Sequence, residues 1–207
     1  MGLPKVEQSL LIKLIVKRRP FELLGVASLT LTCFAFSVWM VPGSSGVYGG
    51  LLGGVTIAIA VIDAKFFRIP DGLTIAILLL GLLHSATGAP PDEINYALGV
   101  AVLRGIGLAL PFFFLWAFYR LARGRDGLGL GDIKLAAAGG AWLNWISMPM
   151  AIEIATLSAL SLYTARRLLN GQPVKMTARL PFGLFFAPAI WITWLFQSAQ
   201  QSIVIGS

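Results

Sequence analysis

Long apolar runs separated by short polar or Gly/Pro-bearing breaks dominate this chain. About twenty mostly apolar residues cross a bilayer as a helix, and seven stretches qualify, at about 21–42, 46–63, 72–89, 94–119, 132–150, 151–168 and 182–200. Gly43-Ser-Ser-Gly46 after Pro42, Gly88-Ala-Pro-Pro91 and Gly171-Gln-Pro173 stand where loops must fall. The pattern predicts an all-α, polytopic transmembrane helix bundle of about seven spans. Ahead of it, Leu10, Leu11, Leu14 and Ile15 recur at helical spacing, with Lys13 and Lys17 projecting elsewhere. No small-residue cleavage site follows, so residues 1–20 are expected to form an amphipathic interfacial segment rather than a cleaved signal, and residues 21–207 one transmembrane domain.

Composition agrees with a bilayer as solvent: 57% of residues are hydrophobic and only 12% charged. Charge then orients the bundle, because cytoplasmic loops carry the excess of Lys and Arg. With the N-terminus in the cytoplasm, fifteen of the sixteen Lys and Arg residues fall on the inner side, and only Arg104 lies within a span. The net charge of +7 is thus a topology signal and an affinity for anionic membrane lipid, not a footprint for nucleic acid. Cys33 is alone, which excludes an intrachain disulfide and a Cys-x-x-Cys zinc site. His84 is the only histidine, so Ser-His-Asp chemistry and a His-bound catalytic metal are disfavoured, and it is read as structural or interfacial. Arg104 is expected to face the bundle interior and pair with an acid, Glu153 being one candidate for an Arg104–Glu153 pair.

Two carboxylates carry the candidate chemistry. Asp63 ends the second predicted span and Asp132 opens the fifth, both at the cytoplasmic side. An ionisable side chain at membrane depth is costly and points to function. Brought together in a poorly solvated site, two carboxylates cannot both ionise, which leaves one acid and one base to act on a single water. Asp63 opposes the dipole at the C-terminus of its helix, so helix stability does not explain it. Asp132 stands where a helix N-cap belongs, and capping is its simpler account. Gly129 and Gly131 before it strip side chains from the segment, admitting either an extended substrate or a close helix neighbour. Asp71 after Pro70 reads as the cap of the third span. Lys134, two residues past Asp132, points away from that carboxylate and reads as a boundary marker or a contact to lipid phosphate.

Three blocks taken in order, Asp63 with Arg68-Ile-Pro70-Asp71-Gly-Leu-Thr74, Gly129-Leu-Gly131-Asp132-Ile-Lys134-Leu135, and Leu180-Pro181-Phe182-Gly183-Leu184-Phe-Phe-Ala187-Pro188, resemble the prepilin peptidase or type IV leader peptidase family over roughly residues 45–200. The resemblance implies a membrane-embedded aspartic endopeptidase of the bacterial inner membrane, its site facing the cytoplasm. Such an enzyme removes the short basic leader of type IV prepilins and type II secretion pseudopilins, cutting after a glycine. It implies Asp63 and Asp132 as the catalytic pair, no metal or organic cofactor, and Gly129, Gly131, Lys134, Pro70, Asp71, Pro181, Phe182 and Gly183 as residues that shape the site or bind substrate. Longer members carry a domain with two Cys-x-x-Cys pairs and methylate the new N-terminus; this chain resembles the shorter, peptidase-only members, and methylation is not expected of it. In the third block Leu184 stands where proline is expected. A presenilin-type protease is disfavoured because Ile62, not tyrosine, precedes Asp63. A proton-coupled transporter is the rival of a different class, but it calls for midplane acids and internal symmetry that the sequence lacks.

Overall fold

A computed structural model describes residues 20–123, 129–170 and 181–206. Within them the chain forms seven helices and no strand: α1 (Pro20–Met40), α2 (Ser44–Phe66), α3 (Asp71–Thr87), α4 (Ile94–Arg123), α5 (Leu130–Gly140), α6 (Ser147–Asn170) and α7 (Gly183–Gly206). The interfacial segment expected before Pro20 and the basic residues Arg125, Lys175 and Arg179 lie outside the described residues. Four of the helices are long and apolar enough to cross a membrane, within Leu23–Met40, Ser44–Phe66, Ile94–Ala122 and Ser147–Ala165, and the shorter apolar helix Asp71–Thr87 joins them. Leu29, Leu103, Phe114, Leu157 and Leu160 point outward from these helices, as lipid-facing side chains do.

One predicted boundary is corrected. The apolar stretch 132–150 is not a single helix: α5 ends at Gly140 after eleven residues, and α6 begins at Ser147. Gly139 and Gly140 are weak helix formers, and the turn beyond them is tied down by side chains. Asn144 Oδ1 accepts the Ser147 N–H at 2.8 Å, capping α6, while the Asn144 N–H donates to Gln197 Oε1 at 2.8 Å. The Trp142 indole donates to the Ile77 carbonyl at 2.9 Å, fixing the same turn to α3. Trp142, Leu143, Trp145 and Ile146 make the turn read as membrane-spanning.

The interior is assembled around α2, which packs on α1, α3 and α7. Lipid offers no hydrophobic driving force between helices, so association depends on close packing. Gly49 and Gly53 of α2 supply it by leaving room for the indoles of Trp194 and Trp191 on α7. Leu52, Ile59, Ile77, Leu135, Phe186, Ile190 and Trp194 fill the centre and are fully buried. α4 and α5 approach closely at Gly140, where an added Cβ would lie 2.5 Å from the Arg104 carbonyl oxygen and 2.7 Å from the Gly105 Cα. Both obstacles are backbone, so Gly140→Val must force the helices apart. It is expected to destabilise the protein by about 1–3 kcal/mol. Thermal unfolding in detergent checks this, and an unchanged midpoint contradicts the packing described.

The expected Arg104–Glu153 pair is absent among the described residues. Glu153 is exposed on α6, which packs against α7, whereas α4 packs against α3 and α5, so the two charges lie on elements that do not share a face. Arg104 Nε is buried with no hydrogen-bond partner. His84 sits in an aromatic enclosure, stacked on Trp142 at 5.2 Å with the edges of Tyr48 and Trp194 at 5.7 and 6.0 Å, in keeping with a structural role.

Candidate active site

The last turn of α2 carries Asp63, 5% exposed. The helix stops at Phe67, which takes the left-handed conformation (φ 51, ψ 40) and donates its N–H to the Asp63 carbonyl at 2.9 Å. This reversal turns Ile69 inward, where it is buried, and leads to Pro70, whose extended backbone opens α3. The Pro70 carbonyl accepts the Thr74 N–H and hydroxyl, both at 3.2 Å.

The capping role expected of Asp71 is not what the structure holds. Pro70 is the N-cap of α3, and the Asp71 carboxylate instead accepts the Lys134 ammonium at 2.8 Å, joining α3 to α5. That hydrogen bond holds the Asp71 carboxyl below the usual carboxylate range. The contact also replaces the reading of Lys134 as a lipid or boundary residue. Both side chains are exposed, so the pair positions more than it stabilises.

Asp132 is a capping residue of a different kind from the one expected. It is the third residue of α5 with Gly129 as N-cap, and its Oδ2 reaches back to accept the Gly129 N–H at 3.2 Å. The Asp132 N–H donates to the Gly129 carbonyl at 3.0 Å, so one local loop fixes both ends of the residue. The side chain is 9% exposed.

A third segment closes the arrangement. The Leu184 N–H, in the first turn of α7, donates to Asp63 Oδ2 at 3.0 Å across 121 positions of sequence. The carboxyl group that burdens the end of α2 thus lies at the positive end of α7. Gly183 lets the two elements touch: an added Cβ would be 2.9 Å from Asp63 Oδ2 and 2.8 Å from Ile69 Cδ1.

Asp63 and Asp132 line one cavity of about 330 Å³ together with Phe67, Arg68, Ile69, Asp71, Gly129, Leu130, Gly131 and Lys134. Four of the residues expected to shape the site, Gly129, Gly131, Lys134 and Asp71, are therefore in its wall. Gly183 backs the Asp63 carboxylate from behind. Pro70 acts through the turn before α3, and Phe182 packs in an aromatic group with Phe112 and Phe186, at 6.0 and 5.3 Å, behind the site. Pro181 is half-buried beside Phe182 and does not line the cavity. Sequence reasoning passed over Phe67, Ile69 and Leu184. The first two carry no chemical signal; Leu184 was marked only as a departure from an expected proline. Among the described residues no group of three His, Cys, Asp or Glu side chains is placed to hold a metal ion.

A model of the type IV leader peptidase family matches residues 50–164, the stretch that contains both buried carboxylates. The chain belongs to the type IV leader peptidase family. Among its relatives, the prepilin leader peptidase/N-methyltransferase of Aeromonas hydrophila is 33% identical over 164 residues, 78% of this chain and 53% of that protein. The Klebsiella pneumoniae protein of the same name is 38% identical over 125 residues, 58% of this chain and 50% of that protein. The Neisseria gonorrhoeae one is 30% identical over 177 residues, 84% of this chain and 57% of that protein. This leader peptidase family member spans about half the length of the curated relatives it matches. No solved structure matches it. Family membership and the apolar helices together make it a multi-pass membrane protein.

Proposed function

We propose that this protein is an aspartic endopeptidase that cleaves the basic leader from type IV prepilins or pseudopilins, with Asp63 and Asp132 as its catalytic pair. The observation that carries the reading is that two buried carboxylates from remote stretches of a leader peptidase family chain line one cavity. We place the cavity on the cytoplasmic side of the inner membrane, because the excess of Lys and Arg falls at that end of the helices.

The chemistry follows from the shared proton. One carboxylate takes a proton from water as the water oxygen attacks the scissile carbonyl carbon, and the other, protonated, gives its proton to the carbonyl oxygen. On collapse of the resulting gem-diol, the second carboxylate recovers a proton from a hydroxyl and the first donates one to the departing amine nitrogen. The C–N bond breaks, and both groups return to their starting states. General acid–base action of this kind supplies about 10²–10⁴-fold, and holding the scissile bond in the cavity supplies further rate. The substrate's apolar helix can dock among the spans while its leader junction reaches the carboxylates. A basic leader meets less repulsion at this mouth than the residue count suggests, because Lys134 is neutralised by Asp71.

Incubating the purified protein with a prepilin precursor and weighing the product tests the reading. Loss of a leader-sized mass is expected. An intact precursor would refute the proposed activity.

A further inference from the structure

The third block departs from its expected pattern at Leu184, and the departure is chemical. Proline has no backbone N–H; leucine has one, and here it is given to Asp63 Oδ2 at 3.0 Å. We propose that the Leu184 N–H is a positioning group that keeps Asp63 ionised as the general base, leaving Asp132 as the protonated acid. The mechanistic half of this inference rests on the aspartic peptidase reading above; the order in which the two carboxyls ionise does not.

The first four N–H groups of a helix have no acceptor within it. In the first turn of α7, the N–H groups of Phe185 and Phe186 are taken by the Phe182 carbonyl at 3.0 and 2.9 Å, and the Leu184 N–H is directed at the carboxylate, with the Gly183 N–H as a lesser donor beside it. A donor at the positive end of a helix favours the charged form of what it touches. Among the described residues, the charged and titratable groups around Asp63 are Asp132 and Lys134 on α5, Asp71 on α3, Arg68 in the turn and Lys65 on its own helix. Lys134 and Asp71 compensate one another. The carbonyls ending α2 oppose the charge, but the carbonyl of Asp63 itself is occupied by the Phe67 N–H. Asp132 also lies in the positive first turn of a helix, its own α5, but the bond it accepts is longer, 3.2 Å from the Gly129 N–H within its own capping loop. Charge on Asp63 then disfavours charge on Asp132, and the pair is sorted into base and acid. In the reaction, Asp63 takes the proton of the attacking water, and Asp132 protonates the carbonyl oxygen.

Isotope-edited infrared spectroscopy of aspartate carboxyls in the full-length protein reads this without any catalysis. Asp132→Asn leaves Asp63 as the member of the pair to be titrated, and Asp63→Asn leaves Asp132. The ionised band is expected at lower pH in Asp132→Asn; the opposite order, or coincidence, overturns the assignment whether or not the protein is a peptidase. Leu184→Pro then removes the donor at a helix position where proline is tolerated. In prepilin cleavage, the acid limb of its pH–rate profile is expected to move up by about one pH unit, while Leu184→Ala, which keeps the N–H, retains the wild-type limb whatever its rate. An unmoved limb in Leu184→Pro overturns the positioning role. If Leu184→Pro does not fold, the infrared order decides alone. Failure of every protein, wild type included, to cleave prepilin counts against the peptidase reading and leaves the ionisation order to be judged from the spectra.

Discussion

Asp63→Asn and Asp132→Asn are each expected to abolish leader cleavage, by at least about 10⁴-fold, with no loss of folded protein in the membrane. Asparagine is nearly isosteric with aspartate and keeps a carbonyl oxygen, so at position 63 it still accepts the Leu184 N–H and at position 132 the Gly129 N–H. What it loses is the capacity to take up or give a proton. Because the two groups share one proton cycle, removing either removes the cycle, and the double variant should be no worse than the singles. Cleavage rates of purified variants, measured beside their thermal unfolding in detergent, check this. A single Asn variant that cleaves at a rate near wild type would sink the proposed pair.

Gly183→Ala is the second large effect, and it arises from space. The new methyl would stand 2.9 Å from Asp63 Oδ2 and 2.8 Å from Ile69 Cδ1, so the carboxylate or the start of α7 must shift. A displacement approaching 1 Å at a reacting group costs about 10²-fold, and a drop of that order in kcat/KM is expected with little change in insertion. Two neighbours serve as controls. Gly131→Ala meets Ile69 Cβ at 3.1 Å, which a slight adjustment relieves, so its loss should be smaller. Gly72→Ala meets nothing within 4 Å and should cleave like wild type. Equal rates for all three variants would remove Gly183 from the site.

Much of this was legible in the sequence, for identifiable reasons. Apolar runs of bilayer length announce membrane helices whatever their neighbours, and carboxylates beside such runs announce chemistry, because both signals rest on local solvation costs. The glycines of the second block and Asp71 and Lys134 were also marked, and all reach the cavity wall. What was not legible depends on contacts distant in sequence. Along the sequence Lys134 stands nearest to Asp132, although its partner is Asp71, 63 positions away. Asp71 looks like a cap because it follows Pro70 at the start of a predicted span. The split of 132–150 depends on Asn144 and Gln197 meeting across 53 positions, and periodicity carries no trace of that. Leu184 could not be read as a donor, since a backbone N–H is common to every residue but proline and acquires meaning only through what it faces.

The bond between Asp63 and Leu184 has a consequence for the timing of synthesis. A ribosome has made the first two blocks, with both aspartates, long before α7 emerges, yet α2 still lacks the donor that meets its buried carboxyl. The two carboxylates therefore reach their final arrangement only when α7 enters the bilayer and docks against α2.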